Sequence, residues 1–313
     1  MNDNLNIGKT YLAAVICFVL MSLGGVRSKI GSLGGTLLSQ AVIIACSVAY
    51  LVHCGERFSE RIGLKKPSVT GAILLPVYFI STFFILEFTG VLSQLFTSNV
   101  TSGRMNVIAD EVPFALGVLV IAVLPAVGEE LLFRGVMFYG YRKYGAVTAV
   151  LISSVSFALI HGNLNQFCYT LIAGILFALL VEATGSLIPA SIVHCLVNLV
   201  SVILLYYPSE IVDFLKNLGM EDPGSLIYAG NREQMLQLLK TLAVPAAISA
   251  VVCVLILVLL KRRNRQSEED GIQTAPIAMN ISKESVFTWA LNSAMLLALS
   301  YLVLCELVIR KIV

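Results

Sequence analysis

The chain alternates long apolar blocks with short polar stretches. A bilayer's hydrocarbon core takes about 20 apolar residues of helix, and nine blocks come near that length. They run from Thr10 to Val26, Thr36 to His53, Thr70 to Phe96, Pro113 to Tyr139, Ala146 to His161, Phe167 to Ala183, Leu187 to Tyr206, Leu242 to Leu260 and Val286 to Leu307. The pattern predicts an all-α fold, a polytopic transmembrane helical bundle of about eight to nine spans with a membrane-embedded cavity. The first block could pass for a signal peptide. Its leading segment, however, holds Asp3 and only Lys9, and no clear small-x-small cleavage site follows, so it is read as an anchor helix.

Composition agrees with this reading. Of the 313 residues 58% are hydrophobic and only 13% charged, with a mean hydropathy of +0.88, which excludes an ordinary soluble domain. A net charge of +2 is too small for a nucleic-acid footprint, and the basic residues sit in short clusters between apolar blocks, where they act as topology signals. With the N-terminus inside, the inner loops carry twelve Lys and Arg and the outer loops eight, and the two strongest clusters fall inside. The chain is therefore expected in the plasma membrane with its N-terminus on the cytoplasmic side. Its seven cysteines lack paired metal-ligand spacing and read as small buried hydrophobes. Ser209 to Gln237 contains an amphipathic stretch suited to the membrane interface, and the polar run from Lys261 to Ser285 reads as a linker to a peripheral last span.

Ionisable side chains inside a span cost several kcal/mol by most estimates, so each is a candidate for function. The fourth block holds Glu129, Glu130 and Arg134, the fifth ends on His161, and the seventh holds His194 and Asn198. On a helix, residues four apart share a face, which makes Glu130 the salt-bridge partner of Arg134 and leaves Glu129 without an ion pair. Pro125 removes one helical hydrogen bond upstream and can open or kink the helix. Phe157 and His161, and likewise His194 and Asn198, repeat the spacing of four. A carboxylate beside an imidazole can hold and deprotonate water, and a second imidazole with a carboxamide can stabilise an oxyanion. The plainer readings are a helix–helix clamp for the Glu–Arg pair and packed, hydrogen-bonded roles for the histidines. Glu87 and Glu182 have no obvious partner and read as interface residues.

The motifs E-E-x-x-x-R at Glu129, Glu130 and Arg134, F-x-x-x-H at Phe157 and His161, and H-x-x-x-N at His194 and Asn198 resemble the CAAX-protease and bacteriocin-processing (CPBP) family of intramembrane endopeptidases, whose small residues also have counterparts in Gly174 and Thr184-Gly185-Ser186. The resemblance divides the chain into N-terminal transmembrane helices (1–112), a CAAX-protease-like core (113–206), and an amphipathic connection with C-terminal transmembrane helices (207–313). It implies Glu129 and His161 as the water-activating pair, His194 and Asn198 as the oxyanion site, and Glu130 with Arg134 as support for Glu129. The implied substrate is a membrane-associated peptide or protein within the lipid bilayer, with no nucleic acid. Prenylated CAAX proteins are the family's eukaryotic substrates and are not assumed here.

No cofactor is favoured, because His194 pairs with a carboxamide, a poor zinc ligand but a good donor; if zinc is present, Glu129, His161 and His194 are its candidate ligands. The alternatives to an endopeptidase are a non-proteolytic scaffold or bacteriocin-immunity protein of the same fold, and a transporter using the Glu and His residues as a proton relay. The absence of an internal repeat counts against the transporter. One tension remains in the span assignment: His161 ends its block near the outer face, whereas His194 lies about 10 Å from the inner face by helical rise. For both to serve one site, the fifth block has to be tilted and submerged, or its boundary or the orientation differs.

Overall fold

The computed structural model describes residues 3–23, 26–54, 63–97, 101–220, 224, 231–269 and 285–312. Among them every regular element is helical. In chain order these are α1 (Asp3–Leu23), α2 (Val26–Cys54), α3 (Val69–Gln94), α4 (Thr101–Glu111), α5 (Phe114–Tyr144), α6 (Ala146–Ile160), α7 (Leu164–Thr184), α8 (Leu187–Tyr206), α9 (Pro208–Asn217), α10 (Arg232–Glu269) and α11 (Trp289–Ile312). Eight of these, all but α4, α6 and α9, are long and apolar enough to cross a membrane. The protein is an integral membrane protein with an all-α polytopic bundle.

The fifth apolar block is the exception to the expected spans. Helix α6 has 15 residues, about 22 Å of rise, against a hydrocarbon core of about 30 Å. Ten of those 15 residues are buried, because α6 lies inside the bundle against α5, α7 and α11. His161 at its end and His194 on α8 both pack against the Phe157 ring, so the two histidines meet at one level of the bundle.

Helix α5 is not wound as one regular α-helix around Pro125. It is instead wound as a π-helix over Val118–Val123, as an α-helix over Leu124–Glu130 and as a π-helix again over Leu131–Phe138. Proline has no N–H for the carbonyl four residues upstream, and the wider turns around it accommodate the missing bond without a break.

Local chemistry sets the ends of the helices that carry the core. Ser68 caps α3 by accepting from the Gly71 amide, Asn163 caps α7 by accepting from the Gln166 amide, and Ser186 caps α8. The turn between α7 and α8 passes through Gly185 in the left-handed region at φ 63°. At this end of the bundle Arg142 grips Glu182 with two hydrogen bonds of 2.6 and 2.7 Å, and Lys261 adds a third contact at 3.2 Å. Glu182, which showed no partner in the sequence, thus ties together α5, α7 and α10.

Helix α3 packs along α10 and α1 along α11. The last span lies at the edge but is fastened along α1, burying Ala290, Leu291, Ala294, Ala298 and Leu302. The amphipathic stretch forms α9, while Arg232 to Gln237 already belongs to α10. The expected linker begins as the last turns of α10; residues 270–284, like Arg57 and Arg61 of the basic cluster, lie outside the described residues. Cys17, Cys46, Cys168, Cys195, Cys253 and Cys305 are free thiols.

Candidate active site

Four helices bring the intramembrane polar residues together: α2, α5, the end of α6, and α8. The π-wound part of α5 holds Arg134 where its guanidinium donates to Glu130 Oε1 at 2.8 Å and to the Gly174 carbonyl at 3.0 Å. Glu130 is 0% and Arg134 1% exposed, so this is a fully buried pair. Gly174 is required by close approach, since a Cβ there would fall 3.0 Å from the backbone of Ser154 on α6. The aromatic rings of Phe157 and Phe177 cover the guanidinium, their centroids 4.6 and 5.5 Å from it, which adds cation–π attraction to the pair.

His194 joins the same carboxylate, with Nδ1 2.9 Å from Glu130 Oε1. A carboxylate only accepts, so Nδ1 carries the proton and donates. Nε2 then points toward Glu129 Oε2 at 3.9 Å. The imidazole is stacked on Phe177, with centroids 4.9 Å apart, and meets the edge of Phe157 at 5.9 Å. His161 leans on the same Phe157 at 5.0 Å, the packing that their spacing of four anticipated. Its Nδ1 lies 2.8 Å from the Phe157 carbonyl, which fixes a proton on Nδ1 and leaves Nε2 as the free lone pair. The turn holding it passes through Gly162 at φ 66° before Asn163 opens α7.

Glu129 differs from its neighbour as the spacing indicated. It makes no contact with Arg134 within salt-bridge distance, it retains 8% exposure, and it lies within electrostatic reach of His161. Its Oε1 accepts from Gln40 Nε2 at 3.0 Å. Gln40 was missed in the sequence, where a single amide in the second apolar block carried no spacing that pointed to the site. The side chain of Asn198, one turn beyond His194, is half-buried and hydrogen bonds to none of the described residues.

Residues 111–200 match the family described as type II CAAX prenyl endopeptidase, Rce1-like. The likeness to that Rce1-like family is confined to this stretch. The stretch coincides with the region that the three motifs delimit and is consistent with the CAAX-protease family to which they pointed. At the level of the family, the match is to intramembrane CAAX endopeptidases. None of the curated proteins and none of the solved structures matches the chain.

The two imidazoles of the Rce1-like region each donate through Nδ1 and present Nε2. That second-sphere pattern also serves metal-ligating histidines. Among the described residues, no three His, Cys, Asp or Glu side chains form a group that could hold a metal ion. Beside the polar cluster, α5 and α8 enclose an apolar cavity of about 370 Å³, lined by Val123, Val127, Leu131, Leu187, Ile188 and Ile192 among others. Val127 and Ile192 are exposed on the surface of the bundle.

Proposed function

We propose that the protein is an intramembrane endopeptidase that hydrolyses a peptide bond of a membrane-associated protein or peptide with water activated by Glu129 and His161. One observation carries this reading. Of the two adjacent carboxylates in a stretch matching the Rce1-like family, Glu130 is fully buried with Oε1 held by Arg134 and His194, while Glu129 retains some exposure and has one oxygen directed at His194.

In the proposed reaction the Glu129 carboxylate takes a proton from water, aided by His161 Nε2. The water oxygen attacks the carbonyl carbon of the scissile bond, and the negative charge moves onto the carbonyl oxygen. His194 and Asn198 stabilise that oxyanion. For His194 to donate through Nε2, its ring must carry protons on both nitrogens. Collapse of the tetrahedral intermediate breaks the C–N bond, and the proton held by Glu129 passes to the leaving amine. The apolar cavity between α5 and α8 gives the membrane-borne part of the substrate a place beside this chemistry. The basic clusters support an N-terminus on the cytoplasmic side of the plasma membrane.

The test is cleavage of an internally quenched peptide by the full chain in liposomes, comparing a farnesylated CAAX peptide with its unmodified form. Hydrolysis of either, lost in Glu129→Gln, is the expected result. No hydrolysis of any membrane-associated peptide by folded protein sinks the proposal.

A further inference from the structure

Gln40 lies on α2, outside the Rce1-like region, yet it makes the one direct side-chain hydrogen bond recorded for Glu129 among the described residues, from Nε2 to Oε1 at 3.0 Å. It is 7% exposed. A polar amide held in an apolar span costs free energy unless it is bonded, and the groove that admits it is shaped for it. Gly128 faces Gln40, and a Cβ at that position would fall 3.0 Å from Gln40 Oε1 and 3.1 Å from Ile44 Cγ1. A Cβ at 128 would crowd both side chains, which would have to give by a few tenths of an ångström.

We propose that Gln40 is a positioning residue of the site: by donating to Glu129 Oε1 it fixes the carboxylate so that Oε2, the oxygen directed at His194, is the one that meets water. The inference rests on the reading of Glu129 as the water-activating group. Donation to Oε1 restricts a side chain that would otherwise rotate between its two oxygens. The N-terminal spans thereby contribute to a site whose other members lie within the Rce1-like region. The titratable and charged groups around Glu129 are His194 from α8, Glu130 and Arg134 from its own helix, His161 from the end of α6, and Tyr169 from α7, which lies within its electrostatic reach.

The test uses full-length protein in liposomes with Gln40→Met and Gln40→Leu, neither of which can donate, and Glu129→Gln as the blank, each checked by its melting. Turnover of the quenched farnesylated peptide should fall about tenfold in kcat with KM and melting unchanged, the equivalent of one hydrogen bond to a charged group. Parent-like kcat in folded Gln40→Met or Gln40→Leu, with Glu129→Gln inactive, overturns the role of Gln40. Parent-like kcat in Glu129→Gln, or no cleavage by the parent, overturns the catalytic reading of Glu129 instead, so the two failures are distinguishable.

Discussion

Glu130 Oε1 lies 2.9 Å from His194 Nδ1, across helices α5 and α8, while the same oxygen accepts from Arg134 at 2.8 Å. One buried oxygen thus fixes both the guanidinium and the tautomer of the histidine. Glu130 Oε2 has no hydrogen-bond partner, but the whole residue is closed off from the surface at 0% exposure. The adjacent carboxylate of Glu129 keeps 8% exposure, with one oxygen on Gln40 and the other toward His194.

Glu129→Gln should abolish cleavage and leave melting of the detergent-solubilised protein nearly unchanged. The side-chain oxygen of glutamine still accepts from Gln40, so no buried donor loses its partner, but the carboxamide cannot take a proton from water. Parent-like turnover of the variant in the reconstituted peptide assay would remove Glu129 from the mechanism.

Glu130→Gln and Arg134→Ala should each destabilise the bundle as well as lower activity. Either change leaves an opposite charge buried without its counterpart, a loss of about 3–5 kcal/mol. Arg134 keeps the Gly174 carbonyl and two aromatic faces in Glu130→Gln, which places that variant toward the lower end. A double-mutant cycle in thermal melts measures the pair, and additive effects of the two changes would contradict it.

His194→Ala and Asn198→Ala should separate in stability while agreeing in catalysis. Each should lower kcat by about 10²–10³, as for lost oxyanion donors. Removing His194 also strips Glu130 of a hydrogen bond and Phe177 of its stacked ring, whereas the Asn198 side chain bonds to no described residue. Melting should therefore fall for His194→Ala and hold for Asn198→Ala. A normal kcat in Asn198→Ala rules out its oxyanion role.

Prolonged chelation should leave activity intact, and elemental analysis should find well under one zinc per chain. Activity lost on chelation and restored by zinc alone, with His161→Ala losing the metal, would show that the residues rearrange around an ion and would replace Glu129 as the unaided base.

The sequence by itself determined the class of fold, because blocks of apolar residues as long as a bilayer is thick have no other stable home. It also determined the Glu130–Arg134 pair, because a spacing of four on one helix needs no knowledge of the rest of the chain. The packing of Phe157 against His161 was legible for the same reason. The tertiary structure decided whatever depended on two helices meeting. It showed that the Ala146–Ile160 helix is too short to span and is buried within the bundle, which brings His161 and His194 against one phenylalanine. It gave Glu182 its partners Arg142 and Lys261, 40 and 79 residues away. It also delivered Gln40 to Glu129 across 89 residues of chain. Hydropathy and periodicity record how one helix faces its surroundings. The interhelical contacts that orient a buried carboxylate depend on which helices pack together, and no spacing within the sequence encodes that.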